Sequence, residues 1–348
     1  MPIRFEAVTR EASLLSPFKN FELATQTIEH RRDPLTGRSV IVLGGRMDYV
    51  KRFIESDENL IEDLASSTLS DCPFCASSLR SKAPKFVPEI STEGRIQVGE
   101  AVCFPSLFAH EDFNAIVVAT KSHKLPLNEM SPTMFVDAFK ACIEYFERVH
   151  TMTPAAKYDA IVMNFYPPAG STVAHPHIQA LASDLPFRAP TELLEASKSY
   201  FQRNGSSYWT ELIHTEERMR DRYLGKTGKV HWLTPFAPMG LNEVDAIVSG
   251  VSSLDLLADE NLFSLSEGLA RVLRFYYDTG VRSFNFAINS GPFGEAHDYF
   301  DLGLRIVSRY GYKTKFVSDA WALQYLLGDQ EVYEAPEETC TKLRKYFE

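Results

Sequence analysis

A chain of 348 residues with 45% apolar and 24% charged residues is long enough for two ordinary domains and too apolar to remain disordered. Its formal charge of −10 opposes nonspecific attraction to nucleic acid or to an anionic membrane, so an anionic small molecule has to be met by a local group of donors. The cysteines number five, the N-terminus lacks an apolar signal core, and no apolar run approaches the ~20 residues that span a bilayer; the expectation is a cytoplasmic protein without a disulfide framework.

The first strand signal is Ser39 to Leu43, entered from the turn Asp33-Pro-Leu-Thr-Gly37 and left through Gly44 and Gly45. Cys72-Pro-Phe-Cys75 follows, a spacing that lets two thiolates share one tetrahedral ion; a redox dithiol is the competing reading, but its flanks lack the strand-to-helix context. Strands are predicted at Ala115 to Thr120 and Ala160 to Asn164. Between them lies a helix with Ser131 as N-cap, Pro132 at its first position, and Phe135, Phe139, Cys142, Ile143 and Phe146 along one face.

After Gly170, Ser171 and Thr172 the chain enters His175-Pro-His-Ile-Gln179. An extended segment would point residues 175 and 177 to the same side, so two imidazoles converge, one free to bind metal and the other to act as nucleophile or base. Gln179 continues that face and can hold a phosphate oxygen, although an amide cannot act as acid or base near neutrality. A turn of glycine and hydroxyl residues, such as that ending at Thr172, can offer backbone N–H groups and hydroxyls to a phosphate.

The same order of signals returns later in the chain. Thr234 to Pro238 and Glu243 to Val248 echo Pro105 to Ala109 and Asp112 to Val117, and a helix over about Leu262 to Tyr277 precedes Phe284 to Gly291, which echoes Ala160 to Gly170. Two copies of one α+β unit are predicted, residues 1–188 and 189–348. A helical stretch broken at Gly205 lies between them, and a C-terminal helix begins at Pro336. Only the first copy carries a histidine pair, so the chemistry is expected there.

Arg31 to Val42, the Cys72/Cys75 knuckle, Ser122-His-Lys-Leu-Pro126, Asn164 with Gly170 to Thr172, and His175 to Gln179 stand in the order found in galactose-1-phosphate uridylyltransferase, which this chain resembles. That enzyme belongs to the histidine-triad (HIT) superfamily. The resemblance implies an α+β fold of two tandem HIT-like units, each an antiparallel sheet with packed helices. It implies a structural zinc held by Cys72, Cys75, His123 and His175, with His177 as the nucleophile that carries a nucleotidyl group and Gln179 as its phosphate ligand. Arg46, Asn164, Gly170, Ser171 and Thr172 are the implied substrate contacts. Superfamily hydrolases commonly carry a third histidine at the place of Gln179, which favours transfer over hydrolysis. The implied partners are a nucleotide donor and a phosphate-bearing acceptor, without nucleic acid or membrane, and the resemblance also suggests a homodimer. A phosphorylase or hydrolase using the same intermediate, and a non-catalytic nucleotide-binding zinc protein, are the alternatives.

The resemblance weakens in the second copy. His297 stands alone where the uridylyltransferases have a His-x-His for a further metal. Val317 to Trp321 follow Lys315-Phe316 where a Tyr-Glu pair would read the hexose. A second metal and that mode of hexose recognition are therefore not carried over. Phe104 to Phe108 stand where a nucleoside-holding Asn pair is usual, which leaves the base undetermined. Lys313, Lys315, Asp319, Trp321 and Tyr325 are the candidates for the acceptor side.

Overall fold

A computed structural model describes residues 3–348. Strands β1 (Glu6–Ser16) and β2 (Glu22–Arg32) form a long hairpin, β3 (Ser39–Val42) pairs antiparallel with β2, and the late strand β14 (Gln330–Val332) pairs parallel with β3. Helices α1 (Met47–Ile54), α2 (Glu58–Leu69) and α3 (Ala76–Lys82) then lead to the main sheet.

The main sheet has ten strands in the order β4-β5-β6-β8-β7-β12-β13-β11-β10-β9. Its first half holds β4 (Ile96–Val98), β5 (Ala101–Pro105), β6 (Phe113–Val118), β7 (Tyr158–Phe165) and β8 (His177–Ser183). Its second holds β9 (Tyr223–Thr227), β10 (Val230–Leu233), β11 (Val244–Val248), β12 (Phe284–Asn289) and β13 (Gly303–Ser308). Read from either edge the order is the same, with β7 and β12 meeting in the centre. The two units match the internal echo, and their antiparallel strands match what the resemblance implied. Helix α4 (Pro132–Met152) joins β6 to β7 as α7 (Asp259–Asp278) joins β11 to β12.

The inward face of the sheet packs on these two helices. Val117, Ile178, Ile161, Phe286, Ile306 and Trp232 share one buried cluster with Phe139, Phe146, Leu269 and Val272. The α4 cap matches its signal, with the Ser131 hydroxyl accepting from the Met134 amide at 3.2 Å. In α7, Gly268 has a packing reason: a Cβ there would lie 2.1 Å from the indole of Trp232, so only glycine lets helix and sheet close.

The outward face differs between the halves. Over the second, α5 (Arg188–Asn204) and α6 (Tyr208–Met219) lie on the sheet, burying Tyr200, Tyr208, Leu212 and Ile213 with Leu233 and Ile247. Over the first, the segment after Cys72 supplies the cover through Phe74, Leu79 and Ala83, packed with Phe104, Ile116 and Val118. The C-terminal helix α8 (Pro336–Leu343) starts at the proline that signals it. All five cysteines are buried thiols, and among the described residues no helix is long and apolar enough to cross a membrane.

Candidate active site

Four side chains from separate places in the sequence meet at the edge of β8. The ligand atoms of Cys72, Cys75, His123 and His175 all lie within 4.8 Å of one another. His175 Nδ1 is 3.8 Å from the Cys72 sulfur and 3.7 Å from that of Cys75, and His123 Nδ1 is 3.3 Å from Cys75. A tetrahedral zinc with ordinary bond lengths needs sulfur-to-nitrogen edges of about 3.6 Å, so the set has the right size.

The far ring nitrogens are anchored. His175 Nε2 donates to the Thr120 carbonyl at 2.7 Å, and His123 Nε2 donates to the Ala65 carbonyl at 3.0 Å, beside the Thr68 hydroxyl at 3.1 Å. Because a carbonyl only accepts, each ring carries its proton on Nε2 and turns a bare Nδ1 into the cluster. Burial drives the His175 pKa down to about 4, which keeps it neutral as a ligand must be. Burial first, and then the neighbouring Cys72, push the Cys75 thiol up to about 11. A pair of sulfurs so close ionises together only beside a cation, and the donor set suits zinc.

His177 opens β8 one residue after Pro176, opposite Val118 of β6. His175 is not in the strand with it, as the spacing had suggested, but in the bend before it. That bend lets His175 turn its ring to the cysteines while its carbonyl stays beside the next imidazole. His177 Nδ1 donates to this carbonyl at 2.9 Å, so the lone pair is on Nε2. The ring is buried, with Phe74 of the knuckle 5.0 Å away centroid to centroid, and burial lowers its pKa. What results is a neutral imidazole of fixed tautomer, the nucleophilic form.

Gln179 lies on the same face, and its amide has no hydrogen-bond partner among the described residues. It pairs across the sheet with Val162, and Asn164 stands two positions further along β7 on that face. The Asn164 Oδ1 accepts from Asn285 Nδ2 of β12 at 2.6 Å.

The turn expected to offer amides to a phosphate uses them internally. Ala169 and Ser171 donate to the Tyr166 carbonyl and Gly170 donates to that of Pro167. The Ser171 hydroxyl donates to the Val173 carbonyl at 2.7 Å, whereas Thr172 is exposed. Gly170, at φ 92°, needs its glycine to form this turn. Arg46, the N-cap position of α1, donates to Gln26 of β2 at 2.9 Å.

A cavity of about 230 Å³ beside Asn285 is lined by Arg309, Asp319, Gln324, Tyr325 and Tyr333, which brings in two of the acceptor-side candidates. Of the others, Trp321 donates to Glu331 and Lys313 to the Arg52 carbonyl, and Lys315 is exposed. A larger cavity of about 550 Å³, between the N-terminal segment and the end of α5, shares no residue with this site.

Sequence reasoning missed Phe74, Asn285 and Arg309. The Phe284 to Gly291 echo of β7 was the one signal that pointed to Asn285. The second half offers no equivalent site. Gln179 pairs with Val162, Val162 with Ala287, and Ala287 with Arg305, so Arg305 is the counterpart of Gln179. Arg305 is held by Glu243 at 2.8 Å and Asp245 at 3.2 Å, and Gly303 stands at the position that corresponds to His177.

In structure the chain aligns with an ADP-glucose phosphorylase from Arabidopsis thaliana solved with bound ADP-glucose, at TM-score 0.70 and 19% identity over 92% of this chain and 99% of that one. It also aligns with a uridylyltransferase at TM-score 0.64 and 18% identity, over 91% of this chain and 98% of that one.

The chain has the uridylyltransferase fold.

At this identity the likeness is one of fold. In sequence, an uncharacterized protein of Archaeoglobus fulgidus is 29% identical over 321 residues, 92% of each chain. The ADP-glucose phosphorylase of Arabidopsis thaliana is 25% identical over 205 residues, 52% of this chain and 55% of that protein. No family model matches the chain. Within the uridylyltransferase fold, the Cys/His cluster and His177 lie in the first unit, beside the central seam with the second.

Proposed function

We propose that the protein transfers a nucleoside monophosphate through a covalent intermediate on His177. The hydrogen bond from its Nδ1 to the His175 carbonyl carries the reading, because it leaves a neutral, directed Nε2. Nε2 attacks the α-phosphorus of a nucleotide donor, a P–N bond forms, and the bond to the leaving oxygen breaks. A phosphate oxygen of the acceptor then attacks the same phosphorus, and the P–N electron pair returns to Nε2. The amides of Gln179 and Asn164, with the Thr172 hydroxyl, face the phosphoryl oxygens as charge develops. Gly170 and Ser171 shape the turn that presents Thr172, and Arg46 serves the more distant phosphates or the acceptor.

Cys72, Cys75, His123 and His175 would hold a zinc whose chemistry is structural: it supplies a cross-link. The residues themselves aim the strand entry that carries His177. A glutamine at position 179 cannot take a proton from an attacking water, which favours a phosphate acceptor over hydrolysis.

A second reading has inorganic phosphate as the acceptor, which makes the reaction a phosphorolysis. Similarity to an ADP-glucose phosphorylase supports it, as does the absence of a Tyr-Glu pair after Lys315-Phe316. The test is intact mass spectrometry after incubation with UDP-glucose, ADP-glucose or ATP. An adduct of one nucleoside monophosphate on His177 is expected. Its discharge by hexose phosphate, by inorganic phosphate or by water alone separates transferase, phosphorylase and hydrolase. The absence of an adduct with every donor would sink the proposal.

A further inference from the structure

The second unit has no nucleophile, yet one line of side chains runs from it into the first. Asp319 holds Arg309 through two contacts, Oδ2 to Nε at 2.6 Å and Oδ1 to an Nη at 2.5 Å. The other Nη of Arg309 donates to Asn285 Oδ1 at 2.7 Å. Asn285 Nδ2 donates in turn to Asn164 Oδ1 at 2.6 Å and to the Ala169 carbonyl at 2.9 Å. Asn285 and Asn164 are cross-strand partners at the seam where β12 meets β7.

The direction of this chain is set by Arg309 at its far end and by the Ala169 carbonyl beside β7. A guanidinium only donates and a carbonyl only accepts, so Asn285 turns its carbonyl oxygen to Arg309 and its amino group to β7. Asn164 then has to accept with Oδ1, which leaves both N–H bonds of its own amide unspent. Without Arg309, the Ala169 carbonyl alone would hold the Asn285 amide, and Asn164 would be oriented less firmly. The Asp319 carboxylate in turn holds the guanidinium in plane by a charge-assisted fork.

We infer that Arg309 is a positioning residue: through Asn285 it sets the polarity of Asn164, so that the second unit presents the first with an amide donor for an anionic phosphoryl group. This rests on the reading that a nucleotide phosphate sits against Gln179 and Asn164. The relay gives the second unit a part in phosphate recognition without touching the ligand. Asn285 also ties down the turn that ends at Thr172, so the same amide holds both walls of the phosphate site.

The decisive variant is Asn285→Asp. A carboxylate still accepts from Arg309 but cannot donate to Asn164, so Asn164 must donate to it and turn its carbonyl oxygen to the ligand. Calorimetric titration with AMP should show affinity lower by about tenfold or more, the size expected for reversing a hydrogen bond to a charged group. Zinc content should stay at the wild-type value, and a cooperative thermal melt confirms that the variant is folded. If Asn285→Asp does not fold, Arg309→Met and Arg309→Lys carry the test. Met removes the donor and should weaken AMP binding, and Lys keeps a donor-only group and should restore most of it. Binding by Asn285→Asp within about twofold of wild type, or equal loss in Arg309→Met and Arg309→Lys, overturns the relay. AMP bound normally by a wild type that forms no His177 adduct overturns the transfer reaction and leaves the relay standing. A wild type that binds no AMP overturns the relay itself.

Discussion

His177 is oriented by the residue two positions before it: its Nδ1 lies 2.9 Å from the carbonyl oxygen of His175, while the His175 ring faces Cys72 and Cys75. One bend of backbone thus couples a metal-type ligand set to the His177 imidazole. The side chain of His175 belongs to the cluster and its main chain belongs to His177.

Removing the nucleophile should separate chemistry from folding. His177→Ala is expected to abolish the nucleotidyl adduct and to lower turnover by ~10³-fold or more, the usual scale for losing a covalent group. The ring contributes little to the main core, so the melting temperature and zinc content should change little. Quench-flow with labelled donor, alongside calorimetry, checks this. Wild-type labelling in the variant would place the nucleophile elsewhere.

Removing a ligand should do the reverse. Metal analysis of the purified protein should find about one zinc per chain. Cys72→Ser should lose that metal and several kcal/mol of stability, since the cluster ties α2, the knuckle, the β6 exit and the β8 entry together. Thermal melts with and without a chelator measure it. A metal-free protein melting at the wild-type temperature would refute the assignment.

Phe74 links the two parts of the site. Its ring lies 5.0 Å from that of His177 and 5.7 Å from that of Phe104. Phe74→Ala should cost about 2 kcal/mol of stability, because the ring is half-buried, and should leave His177 freer to leave its line of attack. The expected result is a fall of about tenfold in adduct formation with zinc retained. Unchanged labelling kinetics would show that the hydrogen bond to His175 orients the ring unaided.

Two buried carboxyls make stability depend on pH in mildly acid solution. Burial raises Asp159 from 3.8 to about 6, opposed by the hydrogen bond with His150, and burial raises Asp301 to the same value. Between about pH 4 and 6 the folded chain keeps protons that the unfolded chain releases. Stability should therefore fall as pH rises through that window, by on the order of 2–3 kcal/mol for each group. Asp159→Asn should flatten its share, read as a smaller difference between urea midpoints at pH 4 and pH 6. A slope equal to that of wild type would mean that Asp159 is ionised throughout.

Much was legible in the sequence because it is local. The Cys72/Cys75 and His175/His177 spacings, the Ser131 cap, and the strand-helix-strand order that recurs after residue 230 each depend on residues within a turn or two of one another, where covalent geometry limits the options. The duplicated order was enough to expect two copies of one α+β unit, and the antiparallel sheet came from the resemblance. It did not show that the second unit's outer face would be closed by α5 and α6, since that depends on apolar stripes finding a distant sheet.

What only the tertiary structure decided is which donors face which acceptors. His175 meets Cys72 from 103 residues away, and Asn285 meets Asn164 from 121. The turn at Gly170 looked like a phosphate cradle, but its amides close on Tyr166 and Pro167. Arg46 was legible as a cation at the exit of the first strand, and only the pairing of that strand with β2 places it beside Gln26. A sequence names a hydrogen-bonding group, but direction comes from the partner, and here the partners are brought in by strand pairing at the seam between the two units. The sequence by itself thus determined the kind of chemistry available, a pair of imidazoles beside a Cys/His ligand set. The fold determined the tautomer of the His177 imidazole and which amides of the two units meet at the seam.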